Sequence, residues 1–506
     1  MVTEAAQSGL LTGLYTALSF STIFYAFVGV SLGTLVGVLP GVGSLATIAL
    51  LMPLTFYLDP VTGIVMLAGI YYGGAYGGST ASILLNLPGT ANTAVTCLDG
   101  YPMTQKGRGG VALFITTIAS FIGSTVGIVM LAIFAMPLAS VALKFGPQEY
   151  FALMLLGLIA ASSMTSGSPF KSLVMTVIGV VLGLVGTDVI TGVTRFSMGI
   201  ATLFEGLPLV AVALGLFGLG ELMRNAGSDF RSAVMAKDIT FRSMMPTRND
   251  WRRSSRAMFR GTWVGAFFGT LPGTGSTISS FLAYALERRV SKNPEEFGRG
   301  AIEGVSGPEA ANNSAILTAF IPTLTLGVPG DAVMALMLGV FMIHGISPGP
   351  QFITSNPDMF WTLVFSFFVG NVLLLILNIP LIGVWVRVLT IPYSTLFPSI
   401  VGFLCIGVYS VNNSVVDLMI LVVFGVAGYG MYLLRMPIAP LILGLILGPL
   451  LEENFRRALV LARGDFFVSF TRPISGTILA ICFVLLCWML FLALRRLRNS
   501  KHNKTT

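Results

Sequence analysis

Charge is scarce in this chain. Of 506 residues only 10% are Asp, Glu, Lys or Arg, against 55% hydrophobic. A soluble globular domain carries about 25% charged residues. Histidine is nearly absent: His344 lies in a loop and His502 in the tail, and neither has a metal partner in sequence. A histidine-based metal enzyme is therefore excluded. The four cysteines, Cys97, Cys405, Cys482 and Cys487, sit in apolar surroundings without CxxC spacing. Neither a zinc site nor a disulfide framework is expected, and buried apolar packing is the reading for all four. No Walker A motif is present, which argues against direct drive by ATP. The first seventeen residues hold Glu4 and no Lys or Arg. A signal peptide needs a basic n-region, so the apolar stretch from Leu18 is expected to be retained. The ten-residue alternation of an outer-membrane barrel is also missing.

Long uncharged runs are what the chain has instead: Gly110–Leu143, Ser172–Thr187, Thr362–Val384, Leu418–Leu434 and Ile474–Leu494. A helix needs about 20 apolar residues to span hydrocarbon. The expected class is an all-α polytopic membrane protein with roughly 10–14 membrane segments, given that length per span. The net charge of +8 is expected to sit in loops: Arg248, Arg252, Arg253, Arg256 and Arg260 in one polar stretch, and Arg495, Arg496, Arg498, Lys501 and Lys504 in the tail. Topogenic charge on cytoplasmic loops explains it better than nucleic-acid binding. The resulting division is a first half at 1–223, a basic cytoplasmic linker at 224–260, a second half at 261–467, an extra helix at 468–494 and a basic cytoplasmic tail at 495–506.

The halves share a motif, G-x-x-x-G-x-L-P-G-x-G-S. One copy is Gly33, Gly37, Leu39, Pro40, Gly41, Gly43 and Ser44. The other is Gly265, Gly269, Leu271, Pro272, Gly273, Gly275 and Ser276. They agree at seven of twelve positions, 232 residues apart. A second Pro-Gly follows each: Leu87-Pro88-Gly89-Thr90 and Val328-Pro329-Gly330-Asp331. First to second Pro is 48 residues in one half and 57 in the other. The extra nine are placed in the charged loop Glu287–Gly300. Leu156–Gly186 and Phe403–Gly430 share a weaker pattern, an apolar run broken at Ser162–Ser166 and at Ser410–Ser414. Lipid tolerates such breaks only where protein or a water-filled cavity surrounds them. Paired breaks in two halves mark a transporter with a midplane site.

Loop charge orients the halves. Glu287–Gly300 carries Arg288, Arg289, Lys292 and Arg299, whereas its counterpart Phe56–Pro60 has no basic residue. Gln105–Gly110 carries Lys106 and Arg108, whereas His344–Pro357 has no Lys or Arg. Equivalent loops then lie on opposite sides, as inverted-topology repeats require. A further basic loop, Arg456, Arg457 and Arg463, conflicts with the tail, since a single helix separates them. The arms Gly261–Leu271 and Ser276–Leu286 have eleven residues each. Each reaches about 16 Å, against about 30 Å of hydrocarbon. The second copy is thus expected to be a re-entrant hairpin, and the first to enter from the other face.

A helix N-terminus offers free N–H groups and partial positive charge to an anion. Candidate substrate residues are Pro40, Gly41, Gly43, Ser44, Thr47, Asn86 and Thr90 in the first half. In the second they are Pro272, Gly273, Gly275, Ser276, Thr277, Asn312 and Asn313. Ser44 and Ser276 are placed as N-caps, and the anion is held almost wholly by neutral donors. The competing reading is close packing through small-xxx-small contacts, which also suits the run Tyr72–Gly78. Asp331 and Glu309 are candidates for coupling Na⁺ or H⁺, since an intramembrane acid points to function; a helix cap explains each alone equally well. Asp59, Asp188 and Asp417 are read as interfacial. No cofactor is expected beyond the coupling ion.

The runs Gly33–Ser44, Tyr71–Asn92 and Gly307–Ser314, with the second Pro-Gly-x-Gly-Ser, resemble the large membrane subunit of tripartite tricarboxylate transporters over roughly Leu18–Leu490. The resemblance implies a bacterial inner-membrane importer of citrate-like di- or tricarboxylates, driven by cation symport. It implies a small membrane subunit and a periplasmic substrate-binding protein as separate chains, and by analogy an elevator movement. An organic-anion channel, or a stand-alone transporter of another small anion, is the alternative. An intramembrane aspartyl protease built on Asp188 and Asp331 lacks its Tyr-Asp and Gly-x-Gly-Asp contexts.

Overall fold

The computed structural model describes residues 2–39, 43–164, 168–188, 191–225, 241–271, 275–388, 393–465 and 467–502. These residues are largely helical, and their one sheet is a short antiparallel pair, Gly186–Thr187 with Thr194–Arg195. Phe20–Val38, Gly109–Ala142, Pro357–Asn378 and Val415–Leu433 are long and apolar enough to cross a membrane, and shorter apolar helices accompany them. The protein is an all-α multi-pass membrane protein.

Most apolar runs become helices, with two revisions. Ser172–Thr187 ends early: helix Pro169–Gly183 stops and the chain enters the strand pair. Thr362–Val384 is divided between Pro357–Asn378 and Ile382–Val388. The polar breaks do end helices, at Pro147–Met164 and at Tyr393–Asn412. Ser414 caps the next helix, Val415–Leu433, by accepting from the Asp417 N–H.

Glycine faces hold the centre together. Phe20–Val38 lies against Pro60–Leu85, and Arg248–Gly269 lies in the same way against Glu303–Thr318. A Cβ on Gly29, Gly33 or Gly37 would strike the backbone of Met66, Ile70 and Gly74 respectively. A Cβ on Gly261, Gly265 or Gly269 would strike Gly307, Ala311 and Ala315. The partners are 37 positions apart in the first half and 46 in the second. That difference of nine places the insertion before Glu303, in the charged loop. From the other side, Gly73 and Gly77 meet Val30 and Thr34. The small-residue spacing is therefore packing, whatever else the motif does. The second Pro-Gly closes each unit, with Gly89 against Gly37 and Gly330 facing Gly269.

Around this centre the halves exchange helices. Pro169–Gly183 of the first half packs on Ala439–Leu461 of the second. Val415–Leu433 of the second packs on the first half's Leu214–Leu219, a π-helical turn flanked by Leu209–Ala213 and Gly220–Asn225. Glycines make both contacts close: Gly179 and Gly444 in one, Gly215 and Gly428 in the other.

The placement of charge corrects several expectations. Residues 248–260 are not loop but the first turns of Arg248–Gly269, opened by a reciprocal Thr247–Asp250 capping box. That box satisfies two otherwise free N–H groups, so the helix starts inside the basic stretch. The 260/261 boundary falls within this helix, and its 22 residues reach about 33 Å, twice the expected arm. Two of its basic residues are paired: Arg253 with Glu296 and Glu303, Arg260 with Glu287. The Arg253 guanidinium holds the Glu296 carboxyl below its usual range. Arg108 joins the same face through Asp250 at 2.6 Å, and Lys106 donates to the Arg299 carbonyl at 2.6 Å. Arg456 and Arg457 belong to helix Ala439–Leu461 and are paired with Asp188, Glu452 and Glu453. Only Arg463 of that group lies beyond the helix. The basic tail continues helix Pro473–His502, and 503–506 lie outside the described residues. Of the cysteines only Cys482 is buried; Cys97 and Cys405 are half-buried and Cys487 is exposed. In a membrane-facing position lipid, not protein, covers an apolar side chain.

Replacing Gly33 or Gly265 by Val is expected to cost about 1–3 kcal/mol through overpacking, read as a lowered unfolding midpoint in detergent. Gly402→Ala, where a Cβ meets open space, leaves the midpoint unchanged or raises it. Equal midpoints for all three variants would contradict the glycine-face packing.

Candidate functional site

Each break restarts a helix at glycine. Gly43 opens Gly43–Thr55 with φ +65°, and Gly275 opens Gly275–Val290 with φ +61°. Glycine takes that conformation without the penalty a Cβ brings. Pro40, Gly41, Pro272 and Gly273 lie outside the described residues. Ser44 and Ser276 sit one residue inside their helices rather than at the N-cap, and both are buried.

The two helix starts meet the same turn of Pro60–Leu85. Ser44 Oγ lies against Gly74, where a Cβ would collide with it. Three residues earlier in that turn, the Tyr71 hydroxyl donates to Asp331 Oδ2. Asp331 in turn faces Gly275: a Cβ there would stand 3.3 Å from Asp331 Cβ. Ser276 accepts from Asn92 Nδ2 at 3.1 Å, and the same amide donates to Asn312 Oδ1 at 2.7 Å. Tyr71, Asn92, Ser276, Asn312 and Asp331 thus converge from five segments of both halves. Asp331 is also a cap, its Oδ1 accepting from Met334 N at 2.9 Å at the start of Ala332–Ile343.

The surroundings of the helix starts are not neutral, contrary to the sequence expectation. Asp331 stands beside Gly275. Glu221 Oε2 lies 3.9 Å from the position a Cβ on Gly43 would take. Glu221 is the second residue after the π-helical turn Leu214–Leu219. An acid in an apolar segment was the signal available for it.

Glu309 occupies a separate cluster, fully buried on Glu303–Thr318. Thr96 Oγ1 donates to Glu309 Oε1. Asn313 Nδ2 donates to Ser120 Oγ at 2.8 Å and to the Glu309 carbonyl at 3.1 Å. Glu309 Oε2, Asn313 Oδ1 and Ser124 Oγ are buried without a hydrogen-bond partner. Asn313 serves the buried acid alone, whereas Asn312 lies between the clusters, its Oδ1 accepting from Asn92 and its side chain standing beside the Glu309 carboxyl.

Other sequence candidates have local roles. Thr47 Oγ1 bonds back to the Gly43 carbonyl at 3.0 Å. Asn86 is exposed and ends Pro60–Leu85 in the left-handed region, φ +58°, as Gly327 ends Phe320–Leu326. Thr90 makes a reciprocal cap with Thr93. Thr277 is half-buried. Asp59 caps Pro60–Leu85, Asp417 is buried against Asn412, and Asp188 pairs with Arg195 and Arg456. Among the described residues no group of three or more His, Cys, Asp or Glu could hold a metal ion.

The family model of the tripartite tricarboxylate transporter TctA family matches residues 23–443. A 52.8 kDa Agrobacterium vitis protein, described as uncharacterised and as lying in the TAR-I ttuC' 3' region, is 50% identical over 474 residues, 94% of each chain. A second protein of that bacterium, from the TAR-II ttuC' 3' region, is 51% identical over 235 residues, 46% of this chain and 97% of its own length. No solved structure matches the chain. With glycine-started helices converging on one polar cluster, and a family model spanning most of the sequence, the chain belongs to the tripartite tricarboxylate transporter TctA family, whose members are transporters rather than enzymes.

Proposed function

We propose that this chain is the translocating subunit of a binding-protein-dependent secondary transporter. It imports a citrate-like di- or tricarboxylate by symport with Na⁺ or H⁺. One observation carries the reading: two helix starts from different halves reach one turn of Pro60–Leu85, where Ser276, Asn92, Asn312, Tyr71 and Asp331 interlock. Such helix ends, in discontinuous membrane helices, are suited to carboxylate substrates.

The acids supply the coupling. Two unit charges about 4 Å apart repel by about 4 kcal/mol at an effective dielectric of 20. A substrate anion approaching Gly275 meets Asp331, and Glu309 lies one turn before Asn313 on the Asn312 helix. A cation bound among these acids offsets the repulsion, so anion and cation favour each other's binding. That reciprocity is the thermodynamic basis of symport.

Inverted-topology repeats, with the linker and tail cytoplasmic in the bacterial inner membrane, agree with which loops meet. Loops lacking Lys and Arg lie together, His344 Nε2 standing 3.1 Å from Thr55 Oγ1 at the edge of Phe56–Pro60. The basic segments lie together through Lys106, Arg108, Asp250 and Arg299. Glu453, Asn454 and Arg457 line one cleft with Pro348, Gly349 and Pro350. That proximity supports placing them on the non-basic, external face, where they no longer conflict with a cytoplasmic tail. The glycine-packed centre and the exchanged outer helices are the two bodies an elevator movement needs. A small membrane subunit and a periplasmic substrate-binding protein complete the assembly.

In proteoliposomes holding all three subunits, Asp331→Asn is expected to reduce the cation dependence of substrate affinity several-fold, since Asn keeps the cap and removes the charge. An unchanged cation dependence would count against the electrostatic coupling. Ser276→Ala is expected to raise KM up to about tenfold through loss of one hydrogen bond, with insertion intact; unaltered kinetics would exclude Ser276 from the site. Cysteines placed at Asp59 and Arg289 are expected to react with impermeant reagents from opposite sides. Reaction from one side refutes the inverted repeat.

A further inference from the structure

We propose that Glu309, Asn313 and Ser124 form a sodium-ion site, set apart from the substrate cluster and linked to it through Asn312. The proposal rests on the reading of cation symport and assigns the ion and its ligands.

Unpartnered atoms in a buried setting carry it. Glu309 and Asn313 are 0% exposed and Ser124 is 1% exposed. Glu309 Oε2, Asn313 Oδ1 and Ser124 Oγ all lack a hydrogen-bond partner. A buried polar group without a partner costs about 1–3 kcal/mol, and an ionised carboxylate costs more. As an ionised carboxylate and an amide carbonyl, two of the three atoms are acceptors; the one unpartnered donor beside them, Asn312 Nδ2, cannot serve both. A cation between the helices would meet all three oxygens. Ser79, Ser120 and Asn312 stand around the same carboxylate without completing a hydrogen bond to Oε2.

Helix geometry gathers these atoms. Glu309 and Asn313 are one turn apart on Glu303–Thr318, and Ser120 and Ser124 one turn apart on Gly109–Ala142, so each pair shares a face. The Asn313–Ser120 hydrogen bond of 2.8 Å ties the faces together. A Cβ on Gly123 would strike the Ala310 carbonyl, so the backbones approach closely between the two pairs. Thr96, from the segment after the first break, holds Glu309 Oε1 and leaves Oε2 turned to the cluster.

The chemistry selects a hard monovalent cation. All the donors are oxygens, which suit Na⁺, Mg²⁺ or Ca²⁺ rather than softer metals. A single carboxylate balances one positive charge, and burying the surplus charge of a divalent ion is costly. Asp331 is the poorer ligand because both its oxygens already accept, from Met334 N and from the Tyr71 hydroxyl. Asn312 and Asn313 are neighbours in the chain, so an ion that orders Asn313 also fixes the Asn312 amide, whose Oδ1 accepts from Asn92, and Asn92 in turn donates to Ser276.

Equilibrium binding of radioactive sodium to the purified full chain in detergent tests the site. Wild type is expected to bind sodium saturably, without competition from potassium. Glu309→Gln and Asn313→Ala are each expected to weaken it at least tenfold. Should Glu309→Gln fail to fold, Asn313→Ala carries the test, because it removes a neutral ligand and keeps Glu309 with its Thr96 hydrogen bond. Sodium affinity unchanged in Asn313→Ala, or no sodium binding by wild type, overturns the proposal. Carboxylate exchange in proteoliposomes of the full assembly is followed in parallel. Absent exchange with intact sodium binding would overturn the transport reading and leave the ion site standing.

Discussion

A helix that stops inside hydrocarbon leaves backbone groups that lipid cannot satisfy. Every other feature of this protein answers that constraint. The breaks are enclosed because two helix pairs approach until their backbones touch, Gly33 and Gly37 on Ile70 and Gly74, Gly265 and Gly269 on Ala311 and Ala315. The glycine that follows each second proline lies over the same contact, Gly89 on Gly37 and Gly330 towards Gly269. Packing and function are therefore not rival explanations of the duplicated motif. Its first two glycines bring the helices together, and its last glycine starts the new helix.

Polar chemistry is confined to what this enclosure shelters. Glu303–Thr318 is buried along its whole length although it carries two glutamates and two asparagines. Burying such groups is affordable only where partners or ligands meet them. Near the helix starts, hydrogen bonds join both halves: Tyr71 to Asp331, Asn92 to Ser276 and Asn312. Movement of one half against the other must break or carry these bonds. Charged pairs on the basic face do a different job. Arg108 with Asp250, and Asp99 accepting from the Gly300 and Ala301 N–H groups at 2.7 and 2.8 Å, fasten the first half's Cys97–Gln105 region to the second half's charged loop.

Much of the fold was legible in the sequence. Scarce charge and long apolar runs gave the membrane class, and the repeated motif gave the breaks. Even the nine-residue insertion could be placed, because Met66–Gly29 and Gly307–Gly261 reveal the same offset as the prolines. Helix starts at charged residues were not legible. Arg248–Arg260 read as a loop because its charge masked the Thr247–Asp250 box, a local hydrogen-bond pattern. At the site, Ser276, Asn312 and Asp331 were visible because they lie near the breaks. Tyr71 was not, since it looks like packing; Glu221 carried the signal of an acid in apolar sequence, but it lies far along the chain from either break. Long-range pairing, such as Asn92 with Ser276 across 184 residues, has no sequence period to betray it.

The proposed shared site can be measured directly. In a background freed of its four native cysteines, Ser44→Cys and Ser276→Cys would each be alkylated in the presence of graded carboxylate. If both helix starts serve one substrate, both cysteines are protected, with the same half-protecting concentration. Protection of one cysteine alone, or of neither at concentrations that saturate transport, would contradict convergence of the two halves on a common anion.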